Sequence, residues 1–180
     1  MTNKRKTNSV TNLKSALIDL LLEMEYSKIT IGNITQRANV SRGTFYQHFL
    51  DKDDLAYSIG TETMQRFWEI LAQGNLDKED MLLKALLLIK NDYKHFKAIS
   101  KAPHVQFKDK VQQLICDLIN NNPAIREKIK KKTKISDEIV IKAFSTSFET
   151  IISSWIDNDL SESPEKVVDN IIKIEQLFWK

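Results

Sequence analysis

A chain of 180 residues that is 42% hydrophobic and 28% charged, with only 4 Gly and 3 Pro, is too apolar to stay disordered and too poor in turn formers for a β-rich fold. The net charge of +3 lies wholly in the first 50 residues, where seven Lys and Arg face three Asp and Glu, so a polyanion is expected at one end only. No window approaches the ~18 uninterrupted apolar residues of a membrane span, the basic opening MTNKRKTNSV leads into no signal region, and the single Cys116 excludes an internal disulfide or a multi-cysteine metal site.

A soluble, cytoplasmic, all-α protein without cofactor or metal is therefore expected. Val10, Leu13, Leu17, Leu20, Leu21 and Met24 recur at i+3/i+4 and predict a first helix, capped by Ser9 or Thr11. Thr30 precedes a short helical segment to Ala38, and Ser41 opens a second, SRGTFYQHF. Asn39, between them, suits a left-handed residue. Asp51 caps a long helix that stops near Gly74, and Asp77 caps the next, from Lys78 to about Phe96. The interior of that helix, MLLKALLLI, is apolar nearly all round, as in the middle of a bundle. Pro103 and Pro123 each suit a helix's first turn, the second helix ending in the basic run Lys130–Lys134. Ser136 caps a helix to about Asn158, and Ser163 with Pro164 opens the last, to about Trp179. The pattern is three short helices with the basic excess, then a bundle of about six, divided as residues 1–52 and 53–180.

Residues 30–49 hold two short helices joined by a tight turn behind a longer apolar helix. That is the layout in which a second helix enters the DNA major groove. Its first half presents Ser41, Arg42, Gly43 and Thr44. Gly43 costs about 1 kcal/mol of helix propensity relative to Ala, which is easier to understand if a partner approaches the backbone closely. Phe45 and Phe49, at i and i+4, would anchor the helix, leaving Tyr46, Gln47 and His48 on other faces. The alternative is two packed helices with a polar face, a shape that occurs in proteins that bind no DNA.

The stretch KITIGNITQRANVSRGTFYQHFLDKDDL, residues 28–55, resembles the DNA-binding domain of the TetR/AcrR family of bacterial transcriptional regulators. Asn39 stands where that family more often has Gly, and Gly32 where bulkier residues are usual. The resemblance implies phosphate contacts for Thr30, Tyr46 and Lys52, and base-edge contacts for Arg42, Thr44 and Gln47, on the helix opened by Ser41 and Gly43. His48 is expected at a phosphate or packed in the turn rather than on a metal. Lys4, Arg5 and Lys6 are expected either as a disordered arm that reaches DNA or as a plain basic tail.

The resemblance further implies a homodimer on a palindromic operator, acting as a repressor released by a ligand in the C-terminal domain. For the subunit interface the candidates are Phe148, Ile152, Trp155, Ile171, Ile174 and Phe178. A pocket for a small apolar ligand would draw on Phe67, Trp68, Phe96, Phe107, Cys116 and Phe144, each of which reads first as ordinary core. The segment FETIISSWIDNDLSESPE, residues 148–165, is similar to the subgroup containing the activator of dihydroxyacetone-kinase operons. This keeps open the alternative of a co-regulator whose C-terminal domain binds a protein partner. An enclosed apolar cavity would favour the ligand, and a closed body would favour the protein. With no GxxxxGK[ST], GxSxG, HExxH or GxGxxG motif, no catalytic residue is expected.

Overall fold

The computed structural model describes residues 2–71, 78–123, 126, 127, 129 and 135–179. Among these, no residue is in a strand and nine α-helices run in order: α1 (Thr2–Glu23), α2 (Ile31–Arg37), α3 (Arg42–Tyr46), α4 (Lys52–Leu71), α5 (Lys78–Asn91), α6 (Tyr93–Ser100), α7 (Phe107–Asn120), α8 (Asp137–Asp157) and α9 (Pro164–Trp179). No described helix is long and apolar enough to cross a membrane. The chain forms two compact units, one of residues up to 65 with 92–107, the other of 66–91 with 108–180.

In the first unit the apolar stripe of α1, with Leu13, Leu17, Leu20 and Leu21, is buried, and α1 packs on α2 and α6. From α6, Phe96, Ala98 and Ile99 are fully buried, as are Leu55 and Ala56 of α4. This is why the unit does not end at residue 52, where the sequence pattern divides the chain. Arg37 at the end of α2 grips Glu23 of α1 through two parallel bonds of 2.8 and 2.6 Å. That guanidinium holds the Glu23 carboxyl below its usual value. A depressed carboxyl contributes stability above its unfolded pKa and loses it as pH falls through the folded one. Glu23→Gln should therefore lower the melting temperature slightly at pH 7 and by less at pH 3, checked by calorimetry at both.

In the second unit α9 packs on α5 and α8. Ile115, Ile119, Ile129, Val140, Ile141 and Phe144 form one buried cluster, against which Cys116, Phe148 and Phe178 pack half-buried. Trp155 is buried, and its indole N–H donates to the Glu162 carbonyl at 2.9 Å, closing the turn before α9. Asp159 and Leu160, both at φ 54°, end α8, with the Leu160 N–H returning to the Trp155 carbonyl at 2.9 Å.

Three features depart from the sequence reading. α1 begins at Thr2, so Lys4, Arg5 and Lys6 lie in helix rather than in a disordered arm. No Gly or Pro interrupts residues 2–12, and Lys and Arg are good helix formers. The single helix expected from Lys78 to Phe96 is two, broken at Asp92 (φ −121°, ψ 39°). Asn91 and Asp92 favour non-helical backbone, and the break lets Ile89 be buried in one unit and Phe96 in the other. Pro103 opens only a 3-10 turn, and left-handed Gln106 (φ 54°) delays α7 to Phe107. The helix end near Gly74, the Asp77 cap and most of the helix expected from Pro123 through Lys134 lie outside the described residues.

Candidate functional site

Helix α2 opens on a reciprocal cap. The Thr30 hydroxyl accepts from the Asn33 N–H at 3.1 Å, while the Asn33 side-chain oxygen accepts from the Thr30 N–H at 2.9 Å and from its hydroxyl at 2.6 Å. α2 closes with Asn39 at φ 52°, where the Val40 N–H reaches back to the Thr35 carbonyl at 3.0 Å and the Asn39 N–H to Gln36 at 3.2 Å. That closure turns the chain sharply into α3, which Ser41 caps by accepting from the Thr44 N–H at 3.0 Å.

A helix of five residues cannot hold itself, and α3 is held by Phe45. Phe45 is 0% exposed, with the rings of Phe49 and Tyr46 at 5.9 and 5.5 Å. Anchoring Phe45 inward leaves Ser41, Arg42, Gly43, Tyr46 and Gln47 exposed and Thr44 and His48 half-buried. Tyr46 is 59% exposed, its ring edge-on to Phe45 at 84°. A side chain added at Gly43 would meet only the Ser41 hydroxyl, at 3.6 Å. The protein itself has no need of a glycine there, so the open space is available to whatever approaches α3.

Lys52 is placed differently from the other candidates. Its ammonium donates to the carbonyls of Tyr26 and Ile29, both at 2.8 Å, and lies 4.3 Å from the Tyr26 ring centre. The Tyr26 hydroxyl donates to Asp53 at 2.5 Å, and burial together with that carboxylate pushes its pKa well above the usual range. His104 lies against the same carboxylate at 3.5 Å. Lys52 thus pins the start of α4 to the turn before α2.

The second unit holds an apolar cavity of about 120 Å³. Leu82, Leu86 and Ile89 come to it from α5, Leu114 and Leu118 from α7, Phe144, Phe148 and Ile152 from α8, and Ile171 from α9. The charged groups on its wall are Lys78 and Glu175, paired with each other. Of the pocket candidates, Phe67 and Phe144 line it. Cys116 packs on the neighbouring cluster, and half-buried Trp68 is not on the wall. Phe96 and Phe107 belong to the first unit, where their rings meet edge-on at 6.1 Å. Of the interface candidates, Phe148, Ile152 and Ile171 face the cavity, Trp155 is core, and Phe178 packs edge-on to Phe144 at 5.6 Å. Ile174 is half-buried. Two residues unremarked in the sequence are open on this hairpin, Leu177 at 83% and Ile139 at 61% exposure.

The family model for "Bacterial regulatory proteins, tetR family" matches residues 15–59, and one for "Transcriptional regulator C-terminal region" matches residues 77–176. A fatty acid metabolism regulator protein of Bacillus subtilis is 21% identical over 174 residues, covering 87% of this chain and 88% of its own. Among solved structures, the fatty acid degradation regulator FadR from Bacillus halodurans superimposes with a TM-score of 0.68 at 18% identity, over 91% of this chain and 96% of that one. The dihydroxyacetone kinase operon activator DhaS does so with a TM-score of 0.62 at 19% identity, over 96% and 98%.

Proposed function

Since the chain belongs to the TetR family of bacterial regulatory proteins and is a DNA-binding transcriptional regulator rather than an enzyme, we propose that it is a homodimeric repressor, released from a palindromic operator by an apolar ligand in the second unit. The observation that carries the ligand over a protein partner is the cavity, apolar on every side except at Lys78 and Glu175. A wall of that kind suits a hydrocarbon chain with one polar end, the chain desolvated by Leu and Ile and the head exchanging with the ion pair. Two relatives carry fatty acid regulation in their names, and an acyl group has this chemistry, a long chain requiring the cavity of about 120 Å³ to widen on binding. Exposed Leu177 and Ile139, on the two helices of the last hairpin, support pairing of two chains there.

Two chains place two copies of α3 on half-sites about one DNA turn (~34–36 Å) apart. Ser41, Arg42, Gly43, Thr44, Tyr46, Gln47 and His48 form the DNA-facing set, working in the cytoplasm. The acyl ligand acts by population shift, binding the DNA-incompetent state more tightly than the competent one.

Fluorescence anisotropy tests this with the purified chain and DNA from upstream of its own reading frame, against random DNA of equal length at ~150 mM salt. Palmitoyl-CoA and free palmitate are then titrated into the complex. The expected result is preference for the upstream DNA and release by one of the two. Ala85→Trp, which fills the cavity wall, should keep DNA binding and lose the release. A complex indifferent to both compounds would remove the acyl ligand, and a protein partner would take its place.

A further inference from the structure

Gly32 sits in the first turn of α2 with ordinary helical backbone; no glycine of the described chain has positive φ. Backbone conformation therefore does not call for glycine, and alanine there would gain up to about 1 kcal/mol of helix propensity. What occupies the space is Arg42. A Cβ on Gly32 would lie 3.0 Å from Arg42 Nη2, inside the ~3.5–4.0 Å optimum, so that the guanidinium would have to give by a few tenths of an ångström, and 4.0 Å from its Cζ, at ordinary contact. The same point is 3.5 Å from the Thr30 hydroxyl oxygen.

Arg42, at the first position of α3, thus carries its guanidinium back to the first turn of α2. The Thr30 hydroxyl, which borders the same space over Gly32, is already occupied as both donor and acceptor by Asn33. To this edge the arginine brings a positive charge and five donors in a fixed fork suited to phosphate.

We propose that Arg42 binds the DNA backbone rather than a base edge, and that Gly32 is its positioning residue, the missing side chain being the berth for the guanidinium. This rests on the DNA-binding reading and revises the base-reading role that the family resemblance implies for Arg42.

The test uses the full-length chain, Arg42→Ala, Gly32→Ala and the double variant. Each is titrated against a mixed-sequence 30-bp duplex from 50 to 200 mM salt, and the unsubstituted chain and Arg42→Ala are each put through selection of bound duplexes from a random pool. Arg42→Ala should weaken mixed and selected duplexes alike, by roughly tenfold. Its plot of log affinity against log salt should be shallower by about one per bound chain, with the selected consensus unchanged. Gly32→Ala should lose several-fold in affinity while melting no lower than the unsubstituted chain, and should add nothing once Arg42 is gone. A merely structural glycine would show the opposite pairing, with stability changed and the salt slope not. A consensus position lost in Arg42→Ala, or Gly32→Ala binding as the unsubstituted chain does, would overturn the proposal. Failure of the unsubstituted chain to bind any duplex would sink the DNA reading along with it.

Discussion

Replacing Phe45 by alanine is expected to cost about 3–5 kcal/mol and to lower the melting temperature by about 10 °C or more. The size of the effect comes from geometry rather than residue type. Phe45 is fully enclosed, it is the buried residue of a five-residue helix, and the rings of Tyr46 and Phe49 rest on it. With the ring removed, α3 keeps its Ser41 cap but loses the contact that fixes which side faces outward, so specific DNA binding should disappear with the stability. Phe45→Leu, which retains most of the apolar volume, should keep both in large part. Circular dichroism melts and DNA titration of the two variants check this. An alanine variant that melts like the parent yet binds no DNA would mean that Phe45 meets the nucleic acid itself.

The second large effect is expected at Lys52, and it separates two roles for one residue. A lysine that only meets a phosphate would leave stability untouched when removed, and would weaken all DNA sequences equally. The ammonium here satisfies two main-chain carbonyls and covers the Tyr26 ring. Lys52→Met keeps the stem but withdraws the charge, leaving both carbonyls short of a charge-assisted donor, at a cost on the order of 2–3 kcal/mol. The expected outcome is a fall in melting temperature of several degrees, with loss of DNA binding following from unfolding at assay temperature rather than preceding it. Unchanged melting together with weakened binding would return Lys52 to the phosphate set.

The reading head was legible in the residues because its signals are local. Thr30, Ser41 and Asn39 each act within four residues, and Phe45 with Phe49 follow the helical repeat, so cap, turn and anchor can be read without knowing what lies across from them. The second unit was less legible because an apolar stripe states that a side is buried and not against what. Phe148, Ile152 and Ile171 have the spacing of an interface and face a cavity; Phe96 and Phe107 look like pocket aromatics and fill the other unit. Leu177 carried no periodic distinction from its neighbours, and only exposure marks it. The break at Asp92 was hidden for a related reason: apolar residues continue on both sides of it, and the change of partner, not of pattern, requires the interruption. Gly32 was visible as an unusual choice in the sequence, but its reason lies ten residues along the chain, in the arginine that occupies its space.

The first unit is assembled from two stretches separated by residues 66–91, and this sets an order of events during synthesis. At about 5–20 residues per second, a nascent chain that has emerged to the end of α4 has every residue of the proposed DNA-facing set and still lacks Phe96 and Ile99, two side chains buried in that unit. The first unit is complete in sequence only once residue 107 has left the ribosome, with α5 already made. The interleaving places a helix that lines the apolar cavity of the second unit between the two stretches of the first, in the order of synthesis.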